Sequence, residues 1–205
     1  HAQETSKALG QLLRDTRRVR RGLGTIRQDL NVSIACGDRV EIKGCQDLDW
    51  IPKIIELEMA RQLHFYRLAN EMRAENSQPL LPPNRDDDDD ATEEGVAKLA
   101  EELLSCDVTD ITDVFSNCQS KMVVDSLADG AKVLAVKLAN FAGRIGSKQL
   151  DANGAQMPRL GRELASAAKL AGVRGIFHSD ELPAYGIEQA EVDATKSNLD
   201  LSESD

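Results

Sequence analysis

TIRQDLNVSIACGDRVEIKG, residues 25–44, alternates. Ile26, Gln28, Leu30, Val32 and Ile34 fall on one side of an extended chain, and Arg27, Asp29, Asn31 and Ser33 on the other. A period of two with one apolar side is the pattern of a half-buried strand. Cys36, Gly37 and Asp38 supply a turn, and RVEIK resumes the alternation, with Arg39, Glu41 and Lys43 set against Val40 and Ile42. The reading is a hairpin whose polar face carries two carboxylates, Asp29 and Glu41, among Arg27, Arg39 and Lys43. Such a face has two readings: the mixed charge of an ordinary surface hairpin, or a site for a magnesium-bound phosphate.

Upstream, RDTRRVRR puts five arginines into residues 14–21, and Gly22 and Gly24 follow. On a helix Arg14, Arg17, Arg18 and Arg21 would share one face by three-and-four spacing. That face could hold phosphates, or be a solvated helix end whose charges favour the C-terminal dipole. Downstream, the GCQD turn leads into a helix expected from about Asp49 to Arg73. Pro52 is admissible in its first turn, and Ile51, Ile55, Met59, Leu63 and Tyr66 form its apolar stripe. His64 borders that stripe and reads as a boundary residue.

The pattern breaks in the segment 74–104. Prolines at 79, 82 and 83 and five consecutive aspartates at 86–90 give an acidic, proline-rich linker between a first unit, 1–73, and a second, 105–205. GVAKLAEELL, residues 95–104, reads as a short helix behind it. The second unit reads as a helix over SKMVVDSLADG, an apolar strand from Lys132 to Leu138 and an amphipathic helix through Leu160, Leu164, Ala168 and Ala171. A buried strand VRGIF, a loop SDELPAYG and a final acidic helix follow. Helices and short strands in this order give an α+β fold class.

The whole chain bounds these readings. Its 205 residues can bury a real core, and a net charge of −10 argues against a surface that binds nucleic acid all over, though a local patch can override the average. The lack of a long apolar run or of a leader-like start points to a cytoplasmic protein without membrane contact. Cys36, Cys45, Cys106 and Cys118 lack the close spacing of zinc ligands and read as free thiols.

HSDE, residues 178–181, places histidine, serine and two acids side by side. A nucleophile, base and orienting acid must converge from separate elements, whereas neighbours on one loop diverge, so this is not read as a triad. Ser179 and Asp180 are expected to organise the turn before Pro183.

RRVRRGLGTIRQDLNVSI, followed by RVEIKG, a QDLD turn and EMARQL, closely resembles the central region of the GatE subunit of archaeal glutamyl-tRNA(Gln) amidotransferase, in the GatB/GatE family. DVFSNCQSKMV, KVLAVKLANFAG, RLGRELA and GVRGIFHSDELPAYGIEQAEV look like the inserted domain of that family, which bacterial-type aspartyl-tRNA synthetases share. The resemblance implies part of a mixed α/β kinase-amidase core followed by a partial α+β inserted domain. It implies an enzyme that uses ATP and Mg2+ to phosphorylate the side-chain carboxylate of glutamate on glutamine tRNA and then displaces phosphate with ammonia. An asparaginase-like glutaminase subunit supplies the ammonia. On this implication Asp29 and Glu41 lie near the metal and Arg27 and Lys43 counter phosphate charge; Arg14, Arg17, Arg18 and Arg21 are, by their charge, the candidate tRNA contacts. LANFAG stands where the family usually has a Pro-Gly pair, and a Gly-Leu-Glu-Ile-His type metal motif is absent. The expectation is therefore a fragment or divergent relative, inactive alone; a non-catalytic tRNA-binding or scaffold module, or a relative with only a structural role, are the alternatives.

Overall fold

The computed structural model describes residues 1–22, 24–84, 107–148, 150, 154 and 157–202. The chain divides into two compact units, His1–Asp90 and Ala91–Asp205. Residues 85–104 of the expected linker, the expected helix at 95–104 and Cys106 lie outside the described residues. The described parts combine helices with two small antiparallel sheets, an α+β composition.

The first unit opens with α1, Ala2–Asp15, followed by the strands β1, Leu30–Val32, and β2, Val40–Ile42. A 3-10 turn over Leu48–Trp50 runs into α2, Ile51–Glu75, with Pro52 in its first turn, where no intrahelical donor is lost. The hairpin register pairs Leu30 with Ile42, Asn31 with Glu41 and Val32 with Val40. Burial alternates from Ile26 to Ile34 as the residue pattern predicts, although only three residues of each strand pair. Ile51, fully buried, and Val32 and Cys45, each 5% exposed, are the apolar residues buried deepest here. α1 is tied to the start of α2's 3-10 turn by Gln3 Nε2 and Lys7 Nζ, each donating to Asp49 Oδ1 at 2.8 Å.

Two expectations fail in this unit. α1 ends at Asp15, not just before Gly22: the Thr16 hydroxyl donates to the Leu13 carbonyl at 2.6 Å, and Arg17 turns left-handed at φ 57°. Adjacent guanidiniums repel, so little favours carrying the helix through them. On α2 the expected stripe is misplaced, because Met59 is 45% exposed while Glu58 and Gln62 are buried. A step of four drifts off the 3.6-residue repeat, whereas steps of seven and eleven from Ile51 reach Glu58 and Gln62.

The second unit has β3, Val108–Asp110, a 3-10 turn over Thr112–Phe115, and α3, Lys121–Ala128. β4, Leu134–Val136, and α4, Leu160–Leu170, follow, then a 3-10 turn over Ser179–Glu181 and α5, Gln189–Leu199. β3 and β4 pair antiparallel. The core gathers Ile111, Phe115, Cys118, Val123 and Ile187, with Phe177, Leu127 and Val192 packed against it. The Phe115 and Phe177 rings lie 5.4 Å apart and tilted, a favourable aromatic arrangement.

The strand expected over Lys132–Leu138 shrinks to three residues, with Leu134 and Val136 facing outward. VRGIF forms no strand: Val173, Arg174 and Gly175 are exposed, and only Ile176 and Phe177 turn inward. Gly172 and Gly175 interrupt the apolar residues available to a ladder there, and Gly weakens strands. On α4 the expected apolar line is buried in part: Leu160 and Ala168 are half-buried, while Leu164, and Ala171 just past the helix end, are exposed. α5 starts with a capping box in which Glu188 and Glu191 satisfy each other's backbone N–H. Among the described residues no helix is long and apolar enough to cross a membrane.

Candidate functional site

The hairpin brings four of the sequence-predicted site residues into one electrostatic neighbourhood. Asn31 and Glu41 are opposite partners, and Arg27, Asp29, Glu41 and Lys43 are all exposed on the polar side. Lys43 Nζ meets Glu41 Oε2 at 2.8 Å, and the backbone N–H of Gly44 donates to Asp29 Oδ1 at 2.8 Å. Lys43 is held above its ordinary value chiefly by the hydrogen bond to Glu41. The charges of Glu41 and Asp29 add to this, while burial and the charge of Arg27 oppose it. Gly44 takes φ +73°, and Cys45 N–H then reaches the Gln28 carbonyl at 3.0 Å, so the chain bulges as it leaves β2.

Oxygen donors of this type suit a hard cation. Magnesium is commonly held by one or two carboxylates, with phosphate and water completing the shell. Among the described residues no group of three or more His, Cys, Asp and Glu side chains forms a cage. Asp29 and Glu41 are two oxygen donors on one exposed face, the first bonded to the Gly44 N–H and the second to Lys43.

Behind the hairpin lies a polar network that the residue pattern did not disclose. Gln62 Nε2 donates to the Val32 carbonyl at 3.1 Å and to Glu58 Oε1 at 2.9 Å, while its Oε1 accepts the Ile34 N–H at 3.3 Å. Arg61 grips the Glu58 carboxylate with Nε at 2.8 Å and Nη2 at 3.2 Å. The signal that could have found these residues is the true helical repeat counted from Ile51. An open cleft of about 270 Å³ lies alongside, lined by Cys36, Val40, Phe65, Tyr66 and Leu81 among others. Its polar rim is already engaged, with Tyr66 donating to the Leu81 carbonyl at 3.1 Å.

The arginines do not share a helix face. Arg14 sits in the last turn of α1, while Arg17, Arg18, Arg20 and Arg21 lie beyond its end, all exposed. The physical cause is the left-handed break at Arg17.

The 178–181 segment holds the second unit's loops together. Asp180 accepts the N–H of Gly143 with one oxygen and of Gly146 with the other, each at 2.7 Å, so it anchors a distant loop and not the turn before Pro183. Glu181 Oε1 receives Arg159 at 3.3 Å and stands 3.5 Å from His178 Nε2. A side chain at Gly161 would meet the His178 ring at 2.8 Å and one at Gly146 would meet it at 3.0 Å, a packing constraint.

These features define an α+β chain whose first unit presents a carboxylate-and-cation hairpin backed by a long helix. A family model described as the GatB/GatE catalytic domain matches residues 1–128. The chain belongs to the GatB/GatE family. It is similar to the E subunit of the glutamyl-tRNA(Gln) amidotransferase of Thermococcus gammatolerans, at 45% identity over 204 residues, which is 100% of this chain and 28% of that protein. The corresponding protein from Pyrococcus furiosus is 45% identical over the same shares, and that of Methanocaldococcus jannaschii 39% identical over 206 residues, again 100% and 28%. The chain thus spans 28% of the length of these relatives.

Proposed function

We propose that this chain is part of a tRNA-dependent amidotransferase that converts glutamate on glutamine tRNA to glutamine, and that the hairpin face handles phosphate and magnesium in its ATP-dependent step. The supporting observation is the clustering of Asp29 and Glu41 with Arg27 and Lys43 on one exposed face. Bound ATP and Mg2+ would supply a phosphoryl group that turns a poor carboxylate electrophile into an acyl phosphate. Asp29 and Glu41 would offer the metal their oxygens, with Glu41 exchanging its bond to Lys43 for that role. Lys43 and Arg27 would then face phosphate oxygens, where fixed cations offset the charge of the transferring group. In this reading residues 1–73 belong to the kinase-amidase core and 105–205 to an inserted domain like that of aspartyl-tRNA synthetases. The partner is an asparaginase-like glutaminase subunit.

A second reading, a tRNA-binding or scaffold module without chemistry, draws on Arg17, Arg18, Arg20 and Arg21, which lie exposed in a chain of net charge −10. Contacts from such a loop to tRNA phosphates would weaken steeply with salt. One experiment separates the two. In the full-length protein with its ammonia-supplying partner, Asp29→Asn and Glu41→Gln should each lower ATP-dependent amidation by about 100-fold or more, with unchanged melting and tRNA affinity. Parental amidation in both variants, with tRNA binding lost on Arg18→Ala/Arg20→Ala, would favour the module.

A further inference from the structure

We propose that Gln62 and Glu58 are positioning residues for the hairpin face, acting through the backbone of β1 without touching substrate; this rests on the phosphate-and-metal reading of that face. The Gln62 amide takes both the Val32 carbonyl and the Ile34 N–H, at the point where pairing between the strands ends. Val32 is the last paired residue of β1, and Asn31 beside it is the partner of Glu41. A side-chain amide with one donor and one acceptor can replace a missing rung of a ladder, and it fits only one register.

Gln62 in turn is fixed by Glu58, and Glu58 by two bonds from Arg61, so the amide has no freedom to turn over. Both Gln62 and Glu58 are 8% exposed. An apolar pair would fill that space without the desolvation cost of a carboxylate, and a buried polar network is retained to better effect where it specifies geometry. What it specifies here is the twist and register of the strand that carries Asn31 and directly follows Asp29. Small misplacements of catalytic groups are expensive: a shift of about 1 Å can cost about 100-fold in rate.

The test uses the full-length protein with its partner, and the variants Gln62→Leu and Glu58→Gln. Gln62→Leu keeps the volume and removes every amide bond; Glu58→Gln keeps an acceptor oxygen for Gln62 and loses the charge. The expected result for Gln62→Leu is a kcat lower by about 10- to 100-fold with KM for ATP near the parent's, and faster amide exchange confined to residues 25–44. Glu58→Gln should fall between it and the parent. Normal kcat in Gln62→Leu, with Asp29→Asn impaired, would overturn the positioning role alone. So would a loss that merely follows a lowered melting temperature and recovers on cooling. If Gln62→Leu does not fold, Glu58→Gln decides by the same split, parental kcat overturning the role. Parental activity in Asp29→Asn and Glu41→Gln as well would overturn the reading of the face on which the role depends.

Discussion

Gly37 has no side chain, and Gln62 is the reason: a Cβ there would collide with Gln62 Oε1 and stand 2.9 Å from Ile34 Cγ1. Gln62 cannot step aside without giving up its bonds to Val32 and Ile34. Gly186 in the second unit is more constrained, since its φ of +82° is left-handed and a Cβ would lie 2.6 Å from backbone atoms of Gln119 and Ser120. Backbone held on both sides yields less than the end of a side chain. Gly37→Ala should cost about 1–3 kcal/mol, in the range of overpacking, and Gly186→Ala more, because strain at positive φ adds to the clash. Denaturant melts of the two variants measure this, and a Gly186→Ala chain as stable as its parent would contradict the packing around Ile187.

Between strands, the ribbon of β3 and β4 carries its own acid sensitivity. Asp110 is held at about 2, well below its ordinary 3.8, chiefly by the hydrogen bond from Lys132 and then by the side-chain and backbone hydrogen bonds of Thr112. A carboxylate whose value is lower folded than unfolded stabilises the fold above its unfolded value, and that contribution disappears as pH falls through the folded one. The ribbon's share should therefore be intact above roughly pH 4 and vanish between about 4 and 2. Asp110→Asn should flatten the stability profile of the chain within that window and leave its shape unchanged from there up to the alkaline range where Lys132, raised by Asp110, loses its proton. An identical acid limb in parent and variant would contradict the assignment. Elements of this kind are unevenly legible in the sequence. The hairpin can be read because its apolar and polar residues alternate without a break, and burial from Ile26 to Ile34 follows that alternation. The strand read at VRGIF fails, where Gly175 interrupts the apolar residues, and so does the stripe on α2, where the buried face includes Glu58 and Gln62 and hydrophobicity points elsewhere. The arginine face fails because charge spacing says nothing about where a helix stops. The clustering of Asp29, Glu41, Arg27 and Lys43 is legible because side-chain direction in a hairpin follows from register alone. The network behind it is not, since it joins residues about 30 positions apart.

At the scale of the molecule, two compact units each carry buried apolar residues of their own, and the family match extends from the first into the second. Against a net charge of −10, exposed cationic groups gather locally on the hairpin and in the loop after α1. On the proposed function the hairpin face acts in phosphoryl transfer, a step that precedes ammonia and can be isolated from it. ADP release by the full-length protein, given ATP, Mg2+ and glutamate-charged glutamine tRNA but no ammonia source, measures that step directly. The Asp29→Asn/Glu41→Gln variant should release ADP about 100-fold more slowly than the parent at an unchanged melting temperature. ADP release at the parental rate from a folded double variant would contradict the claim.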